Sequence, residues 1–238
     1  AEMFSFNHIL WILLSIAFAY SLVLMFLRVG LKKAGLVMCG ISILSEGSKI
    51  LSDMVPSLLG GMHLDPQCLP FHLCSMLLFV VFYITFSKEG VKRQVAIDFT
   101  SVMGTMGSIL AILIPTNGTE FNTIYPYQCF VYHAGLLAFS LYLIVGKKAR
   151  LGRKAMVRNI VIILVLEVIA IYINGLLEVY DTNFLYVVRP PMENLPILNH
   201  NGGWHMYFMK ITLLGLLAMV LFHLPFVLKE RRENGSDK

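Results

Sequence analysis

The sequence predicts an all-α membrane protein, a bundle of seven transmembrane helices with the N-terminus outside and the C-terminus in the cytoplasm. Of its 238 residues, 57% are hydrophobic and only 14% are charged, whereas a water-soluble domain has about 25% charged residues. Seven apolar runs are each close to the ~20 residues that a helix needs to cross a bilayer. The basic residues also alternate between the connections of these runs, as expected for a multi-pass protein.

Apolar periodicity and run length define each span in order. The spans are placed at 8–28, 34–57, 67–87, 94–115, 124–146, 157–180 and 206–228. The first run lacks both a basic leader and a small-residue cleavage site, so we interpret it as a helix and not as a signal peptide. With no internal repeat or linker between the runs, residues 1–238 are predicted to form a single transmembrane domain.

The second run is interrupted by three charged residues, and the basic residues of the connections decide its assignment. Sixteen of the 19 lysines and arginines fall in connections on one side, and one falls on the other. The remaining two, Lys49 and Lys210, lie within spans. Removing any span would destroy this alternation, so all seven are retained and the basic side is cytoplasmic. The formal charge of +5 is then explained by the basic cytoplasmic connections, so it does not indicate a nucleic-acid partner. We expect a plasma-membrane protein.

This topology places many polar side chains in the outer half, and three of them form a stripe on the second span. Glu46, Lys49 and Asp53 are spaced i, i+3, i+7, which puts them on one helix face. Because a charge at mid-bilayer costs about 2.5–3.5 kcal/mol on insertion scales, the stripe should face the bundle interior. It is either an internally neutralised stripe that orients the helix or the wall of a solvated cavity that binds a polar head group or a cation.

The third span begins with residues that could support nucleophilic chemistry. Asp65 followed by Pro66 predicts a helix start, which puts Cys68 in the first turn and His72 one turn below it on the same face. A thiol beside an imidazole is the minimum for nucleophilic acyl transfer. Pro70 is expected to kink this helix and to open space beside His72.

Cys74 points to another face of the third span, where it could meet a histidine from a different helix. His133 on the fifth span lies at a comparable predicted depth, with Gln128 nearby. Because no third ligand has a suitable spacing to the two histidines, the sequence indicates no metal site, and it indicates no cofactor. Whether Cys68 forms a disulfide with Cys129 is left open.

Further candidate binding residues lie on the last two spans and between them. Glu167 and Lys210 carry opposite charges on adjacent spans, so we expect them to form a buried ion pair. Two small residues of the fourth span, Gly104 and Ser108, indicate close helix packing. The other candidates in this part of the chain are Asn174, Asn183 and Arg189.

Four segments of the sequence carry a resemblance to a known family. They are Phe4-Ser-Phe-Asn-His8, Leu69-Pro-Phe-His-Leu-Cys-Ser-Met76, Tyr132-His-Ala-Gly135, and Thr182-Asn-Phe-Leu-Tyr-Val-Val-Arg-Pro190 leading into Gly202-Gly-Trp-His-Met-Tyr207. In this order, and over the whole chain, they resemble the YwaF family of bacterial integral membrane proteins. That family is distantly similar to an animal transmembrane acyltransferase that acts on lysophospholipids, and more remotely to membrane hydrolases of branched fatty-acid esters. The resemblance implies lipid acyl chemistry.

The resemblance assigns roles to a few positions of this chain. His72 matches fully, and Cys74 matches within the bacterial pattern. The animal enzymes have their nucleophilic cysteine immediately before this histidine, where this chain has Phe71. A phenylalanine cannot form an acyl intermediate, so Cys68 or Cys74 would have to act instead. Loop residues that match the bacterial pattern are Asn183, Tyr186, Arg189, Pro190 and Trp204.

Three functions remain open from the sequence. The first is an enzyme of lipid acyl transfer or acyl-ester hydrolysis, whose catalytic residues are drawn from His72, Cys74, Cys68 and His133 and whose partner is a membrane lipid. The second is a membrane protein of transporter or receptor type that binds a small solute or an ion through the charged stripe. The third is a polar core that only specifies helix packing, with function in partner binding. The sequence identifies no soluble protein partner.

Overall fold

The described part of the chain is entirely helical in a computed structural model. The structure describes residues 3–57, 65–192, 195, 197–198 and 202–236, without the side chains of 53–57 and 235–236. Its α-helices are α1 (Phe6–Val29), α2 (Leu31–Ser57), α3 (Leu73–Phe86), α4 (Val91–Leu113), α5 (Ile124–Val145), α6 (Arg153–Leu176) and α7 (Gly203–Ser236). The predicted all-α class with seven helices is confirmed, and the orientation across the membrane stays a prediction.

Six of these helices are long and apolar enough to cross a bilayer. The exception is α3, whose 14 residues extend about 21 Å at 1.5 Å per residue. A hydrocarbon core is about 30 Å thick. A membrane crossing at this third position stays a prediction, because the α3 helix alone is shorter than the hydrocarbon core.

The predicted start of the third helix at residue 67 is wrong. Asp65 caps a 3₁₀ helix of only three residues, Pro66–Cys68. Leu69 then has an extended ψ of 145°, because the ring of Pro70 disfavours helical backbone in the residue before it. His72 is also extended, with ψ 146°, and α3 begins only after it. The proline breaks the helix where a kink was expected, so Cys68 and His72 share no helix face.

The chain divides into two compact units, and the first, Ala1–Lys148, contains α1 to α5. In this unit α5 packs against α1, α2 and α4, while α3 packs against α2 and α4. Helices α1 and α5 run parallel, because the Trp11 ring stacks on Phe130 at 5.0 Å near their starts and Phe26 meets Tyr142 near their ends. Ser75 at the start of α3 contacts Glu46 in the later half of α2, and Arg93 at the start of α4 contacts Ile84 at the end of α3. Successive helices of this unit therefore alternate in direction.

Small residues allow α4 and α5 to approach closely, as the sequence predicted. A Cβ atom at Gly104 would overlap Oγ of Ser140. That hydroxyl is held in place, because it donates a 3.0 Å hydrogen bond to the carbonyl oxygen of Thr100. The absence of a side chain at Gly104 is thus a packing requirement of this helix pair.

The second unit, Ala149–Lys238, contains α6 and α7. Glu230 of α7 accepts a 2.8 Å hydrogen bond from the backbone N–H of Arg153 at the start of α6. His223 occupies both ring nitrogens: Nδ1 donates to the carbonyl of Leu151 at 3.0 Å, and Nε2 accepts from Asn159 at 3.3 Å. The two helices are therefore antiparallel. The prediction of a single domain stays a prediction.

Candidate functional site

Polar side chains from α2, from the start of α3 and from α5 converge in the first unit. They lie at the end away from the α1–α2 connection at Gly30. We call this group the polar cluster, and its members are Glu46, Lys49, His72, Cys74, Ser75, Gln128, Cys129, Tyr132 and His133. Six of the nine are candidates that the sequence singled out, drawn from three separate spans.

The charged stripe of α2 supplies an ion pair that also contacts α3. Lys49 Nζ lies 2.6 Å from Glu46 Oε2, and the two side chains are 20% and 16% exposed. The Ser75 hydroxyl in the first turn of α3 donates to Glu46 Oε1 at 3.1 Å. The side chain of Asp53, the third member of the stripe, lies outside the described residues. The pair is thus joined to a neighbouring helix while keeping part of its surface accessible.

A second contact joins α5 to the same face of α2. Gln128 donates through Nε2 to the Ser45 hydroxyl at 2.7 Å. Ser42, Ser45, Glu46 and Lys49 are spaced i, i+3, i+4, i+7, which is one continuous helix face. The sequence analysis singled out the charges of this face and missed its serines, although the spacing could have identified them.

Cys74 lies in the first turn of α3, against α4 and α5. Its carbonyl oxygen accepts a 2.6 Å hydrogen bond from the Tyr132 hydroxyl. Its Sγ lies 3.6 Å from the position that a Cβ would take at Gly107 of α4. The expected contact between Cys74 and His133 stays a prediction.

His133 has a defined tautomer. Its Nδ1 lies 2.7 Å from the carbonyl oxygen of Cys129, and a carbonyl oxygen only accepts hydrogen bonds. Nδ1 therefore carries the proton, and the neutral ring has its lone pair on Nε2. Within the described part of the chain, Nε2 makes no hydrogen bond. The Cys129 Sγ lies 3.5 Å from Nδ1. Because Nδ1 is already protonated, it cannot accept the proton of the Cys129 thiol.

His72 and Cys68 occupy different surroundings. His72 stands immediately before α3, three residues before the Ser75 that contacts Glu46, so we include it in the polar cluster. Cys68 ends the preceding 3₁₀ helix and is half-buried. None of the four cysteines, all of which the structure describes, takes part in a disulfide, so the open question of a Cys68–Cys129 bond is answered in the negative.

In the second unit, the predicted binding residue Asn174 fixes the loop after α6. Its Nδ2 donates to the carbonyl of Phe184 at 3.1 Å, and its Oδ1 accepts from the N–H of the same residue at 2.9 Å. Asn183 acts similarly, since Oδ1 accepts from the N–H groups of Val188 and Arg189 and Nδ2 donates to the Arg189 carbonyl. These contacts hold the loop while Leu185 has a φ of +55°, which is sterically unfavourable for leucine.

Arg189 closes this loop through its guanidinium group. It forms two hydrogen bonds with the Asp181 carboxylate, at 2.6 and 2.8 Å, and donates to the Asp181 carbonyl at 2.8 Å. A bidentate pair of this kind is geometrically specific. The structure gives Asn174, Asn183 and Arg189 a role in loop shape, and their role in substrate binding stays a prediction.

The remaining charged candidates lie on α6 and α7. Glu167 is half-buried and accepts a 3.0 Å hydrogen bond from the Thr212 hydroxyl. Lys210 is half-buried two residues earlier on α7, and its expected ion pair with Glu167 stays a prediction. Across the residues that the structure describes, no three His, Cys, Asp or Glu side chains are arranged to hold a metal ion.

The helical fold has six candidate membrane spans, and polar side chains of α2, α3 and α5 meet at one end of its first unit. Together these features define a multi-pass integral membrane protein. The model of the TMEM164 family matches residues 3–223, which is nearly the whole chain, and the protein belongs to this family. No curated protein and no solved structure matches the chain.

Proposed function

We propose that this protein is a membrane-embedded enzyme that transfers or hydrolyses the acyl esters of a membrane lipid at the polar cluster. The observation that carries the proposal is the arrangement of His133. One ring nitrogen is fixed by the Cys129 carbonyl at 2.7 Å, and the other carries the lone pair of the neutral ring. An oriented imidazole with one basic nitrogen is what general-base catalysis needs.

The cost of placing these groups in a membrane supports a chemical role. Ionisable side chains within spans are expensive and by default indicate function. The interrupted backbone before α3 adds to this argument, because non-helical backbone at membrane depth is tolerated only where protein covers it or where it lines a water-filled cavity. The cluster therefore offers a polar environment to an ester group that enters from lipid.

A thiol mechanism uses two residues of the cluster in sequence. His133 Nε2 takes the proton of the Cys74 thiol, and the thiolate attacks the ester carbonyl carbon. The bond to the lysolipid oxygen breaks, that oxygen receives the proton from the imidazolium, and a thioester remains on Cys74. A second lysolipid hydroxyl then completes acyl transfer, or water completes hydrolysis. His72 is the alternative base, and Glu46, Lys49 and Gln128 bind the head group.

The location of the protein belongs to the same proposal. The strong asymmetry of lysines and arginines between the connections favours an orientation with the polar cluster toward the outer side of the plasma membrane. Substrate lipid would then enter the cluster from the outer leaflet.

The proposal is tested with purified protein in lipid nanodiscs that contain a phospholipid with a fluorescent acyl chain and an unlabelled lysolipid. Wild type is expected to release or transfer the labelled chain, and Cys74→Ala to abolish both reactions. Cys39→Ala is the matched control, because this buried thiol donates to Thr85 away from the cluster. If the double variant Cys74→Ala, Cys68→Ala retains activity while His133→Asn loses it, the nucleophile is a water molecule activated by the histidine and not a thiol.

The ion pair of α2 favours a second function, the binding of a small solute or an ion. Glu46 and Lys49 remain partly exposed although they lie within a span, and interrupted helices are common at transporter binding sites. If a water-soluble compound raises the melting temperature while lipids do not, and no lipid is turned over, this second function replaces the enzyme.

A further inference from the structure

A basic surface covers the end of the first unit opposite the polar cluster. The connections that follow α1, α3 and α5 meet at this end, because successive helices alternate in direction. Across residues 27–33, 86–93 and 145–148 there are eight basic residues and one acidic residue, Glu89. Seven of the basic side chains are exposed: Arg28, Lys32, Lys33, Lys88, Lys92, Lys147 and Lys148.

Hydrogen bonds hold two of these connections side by side. Gln94 in the first turns of α4 donates to the carbonyl oxygen of Lys148 at 2.9 Å and to the Asp98 carboxylate at 2.8 Å. Arg93 donates through Nε to the carbonyl of Ile84 at 2.7 Å, which ties the start of α4 to the end of α3. The α3–α4 connection is therefore fixed beside the end of α5.

The end of α5 has a defined backbone that positions its lysines. Lys147 has a φ of +54°, the left-handed conformation that often ends a helix. The N–H of Lys148 then returns to the carbonyl of Leu143 at 2.9 Å. Together with the Gln94 contact, this turn places Lys147 and Lys148 at the same end of the unit as Lys88 and Lys92 of the α3–α4 connection. We call these four residues the lysine cluster.

Exposed apolar side chains flank the lysine cluster. Phe86 is 63% exposed, Val91 is 80% exposed and Val145 is 59% exposed, and each is within a few residues of a lysine in the sequence. In a membrane protein such side chains face lipid tails, whereas adjacent lysines extend toward the head groups. We therefore expect the lysine cluster to lie at the depth of the phosphate groups.

We propose that the lysine cluster binds the head group of an anionic phospholipid from the leaflet that surrounds this end of the protein. Four positive charges at one end of the unit attract a negatively charged phosphodiester. The apolar side chains beside them contact the acyl chains of the same molecule. A free phosphate could use only the charges, so the apolar border favours a lipid.

Lipid competition measures this preference. The protein is incorporated into nanodiscs with equal amounts of phosphatidylglycerol and phosphatidylcholine, and native mass spectrometry counts the lipids that stay bound. We expect wild type to retain phosphatidylglycerol preferentially. Lys88→Gln, Lys92→Gln, Lys147→Gln and Lys148→Gln combined should lower that preference by about tenfold or more, since each lysine near the surface contributes severalfold.

A second set of substitutions distinguishes binding at a specific site from a general effect of the net charge of the protein. Lys154→Gln, Lys229→Gln, Arg231→Gln and Arg232→Gln remove the same charge from exposed positions of the second unit, and we expect less than a twofold change. An equal loss in both variants would overturn the proposal. Millimolar inorganic phosphate that displaces the lipid completely would also overturn it, because the apolar contacts would then contribute nothing.

The Gln94 contact provides a test in which no charge changes. Gln94→Met removes the hydrogen bond to Lys148 and should reduce the preference for phosphatidylglycerol severalfold. The melting temperature and circular dichroism of the same sample show whether the helices remain folded. An unchanged preference in folded Gln94→Met protein would contradict the inference that the two connections form one binding site.

Discussion

The polar cluster of the first unit and the loop after α6 in the second unit use similar residue types in different ways. In the cluster, Glu46 and Lys49 pair within α2, while Ser75 and Gln128 contact side chains of that helix from α3 and α5. In the loop, Asn183 and its neighbours bond mainly to nearby backbone groups. Contacts to the backbone therefore fix the shape of the loop, whereas contacts between side chains hold the charged part of the cluster.

The histidines show the same difference more sharply. His8 accepts from the N–H of Phe4 at Nδ1 and donates to the carbonyl of Ile112 through Nε2. His223 also uses both nitrogens. His133 uses one nitrogen and, within the described residues, presents the other without a partner. Whether a histidine can act as a base therefore depends more on how many of its ring nitrogens are already hydrogen-bonded than on its position in a span.

The largest expected effect follows from replacing His133 by asparagine. Asn can keep a donor toward the Cys129 carbonyl but has no basic nitrogen, so folding should be preserved while catalysis is lost. General-base catalysis contributes about 10²–10⁴-fold, and we expect acyl transfer or hydrolysis in nanodiscs to fall by that factor.

His8→Asn is the matched control for that measurement. It should lower the melting temperature, because His8 is fully buried and joins α1 to α4, but activity per folded molecule should be unchanged. If His133→Asn behaves in the same way as His8→Asn, then His133 is a structural residue and the distinction between the histidines fails.

The next effect concerns the ion pair of α2. Lys49→Met leaves the Glu46 carboxylate half-buried with its hydrogen bond from the Ser75 hydroxyl but without its cation, and removing one partner of a buried pair costs about 3–5 kcal/mol. Because the pair is partly exposed, we expect about 2 kcal/mol of lost unfolding free energy. Thermal denaturation measures this loss.

A double variant shows whether the ion pair is needed for binding or only for packing. Glu46→Gln combined with Lys49→Met should recover most of the stability lost in Lys49→Met, since no unpaired charge remains. If the pair binds a head group or a solute, ligand-dependent thermal stabilisation should be lost in the recovered protein. Stabilisation equal to wild type would assign the pair to packing.

The sequence predicted most of the fold because membrane insertion leaves strong local signals. Length, apolarity and the distribution of lysine and arginine identified seven helices, and the small residues around Gly104 identified the close α4–α5 contact. The start of α3 was missed because two competing local rules apply there. Asp65 and Pro66 favour a helix start, whereas Pro70 prevents the helix from continuing past Leu69.

The candidate site was less predictable, because hydrogen bonds between helices depend on rotation about each helix axis. The sequence predicted that Glu46, His72 and His133 lie at a similar depth. It could not predict that the Tyr132 hydroxyl donates to the carbonyl of Cys74. It also could not show that Asn183 is used within its own loop. Polarity within a span predicts that a residue has a role, and the contacts distinguish a structural role from a chemical one.

The loop of the second unit provides a test with an intermediate effect. Asn183→Ala removes three hydrogen bonds to the backbone of Val188 and Arg189. An unsatisfied buried backbone group costs about 1–3 kcal/mol, and we expect a loss of about 2 kcal/mol in the unfolding free energy. Asn122→Ala, at an exposed position of the first unit, is the control and should change stability little.

The same loop variant also tests the comparison between the two regions. If the loop contributes only shape, activity and lipid binding per folded molecule should stay at wild-type values in Asn183→Ala. A large change in substrate affinity without a change in melting temperature would show that Asn183 contacts substrate. The loop would then belong with the polar cluster as a binding element.

The smallest expected effect is at the α4–α5 contact, which supports the polar cluster without contributing to it. Gly104→Ala places a methyl group against the Ser140 hydroxyl, which cannot rotate away without losing its bond to Thr100. Overpacking of this kind costs about 1–3 kcal/mol, and the better helix propensity of alanine offsets up to about 1 kcal/mol. We therefore expect a net loss of about 1 kcal/mol in thermal denaturation. Gly40→Ala has no atom within 4 Å of the new methyl group and should be neutral or stabilising, so equal behaviour of the two variants would contradict close packing at Gly104.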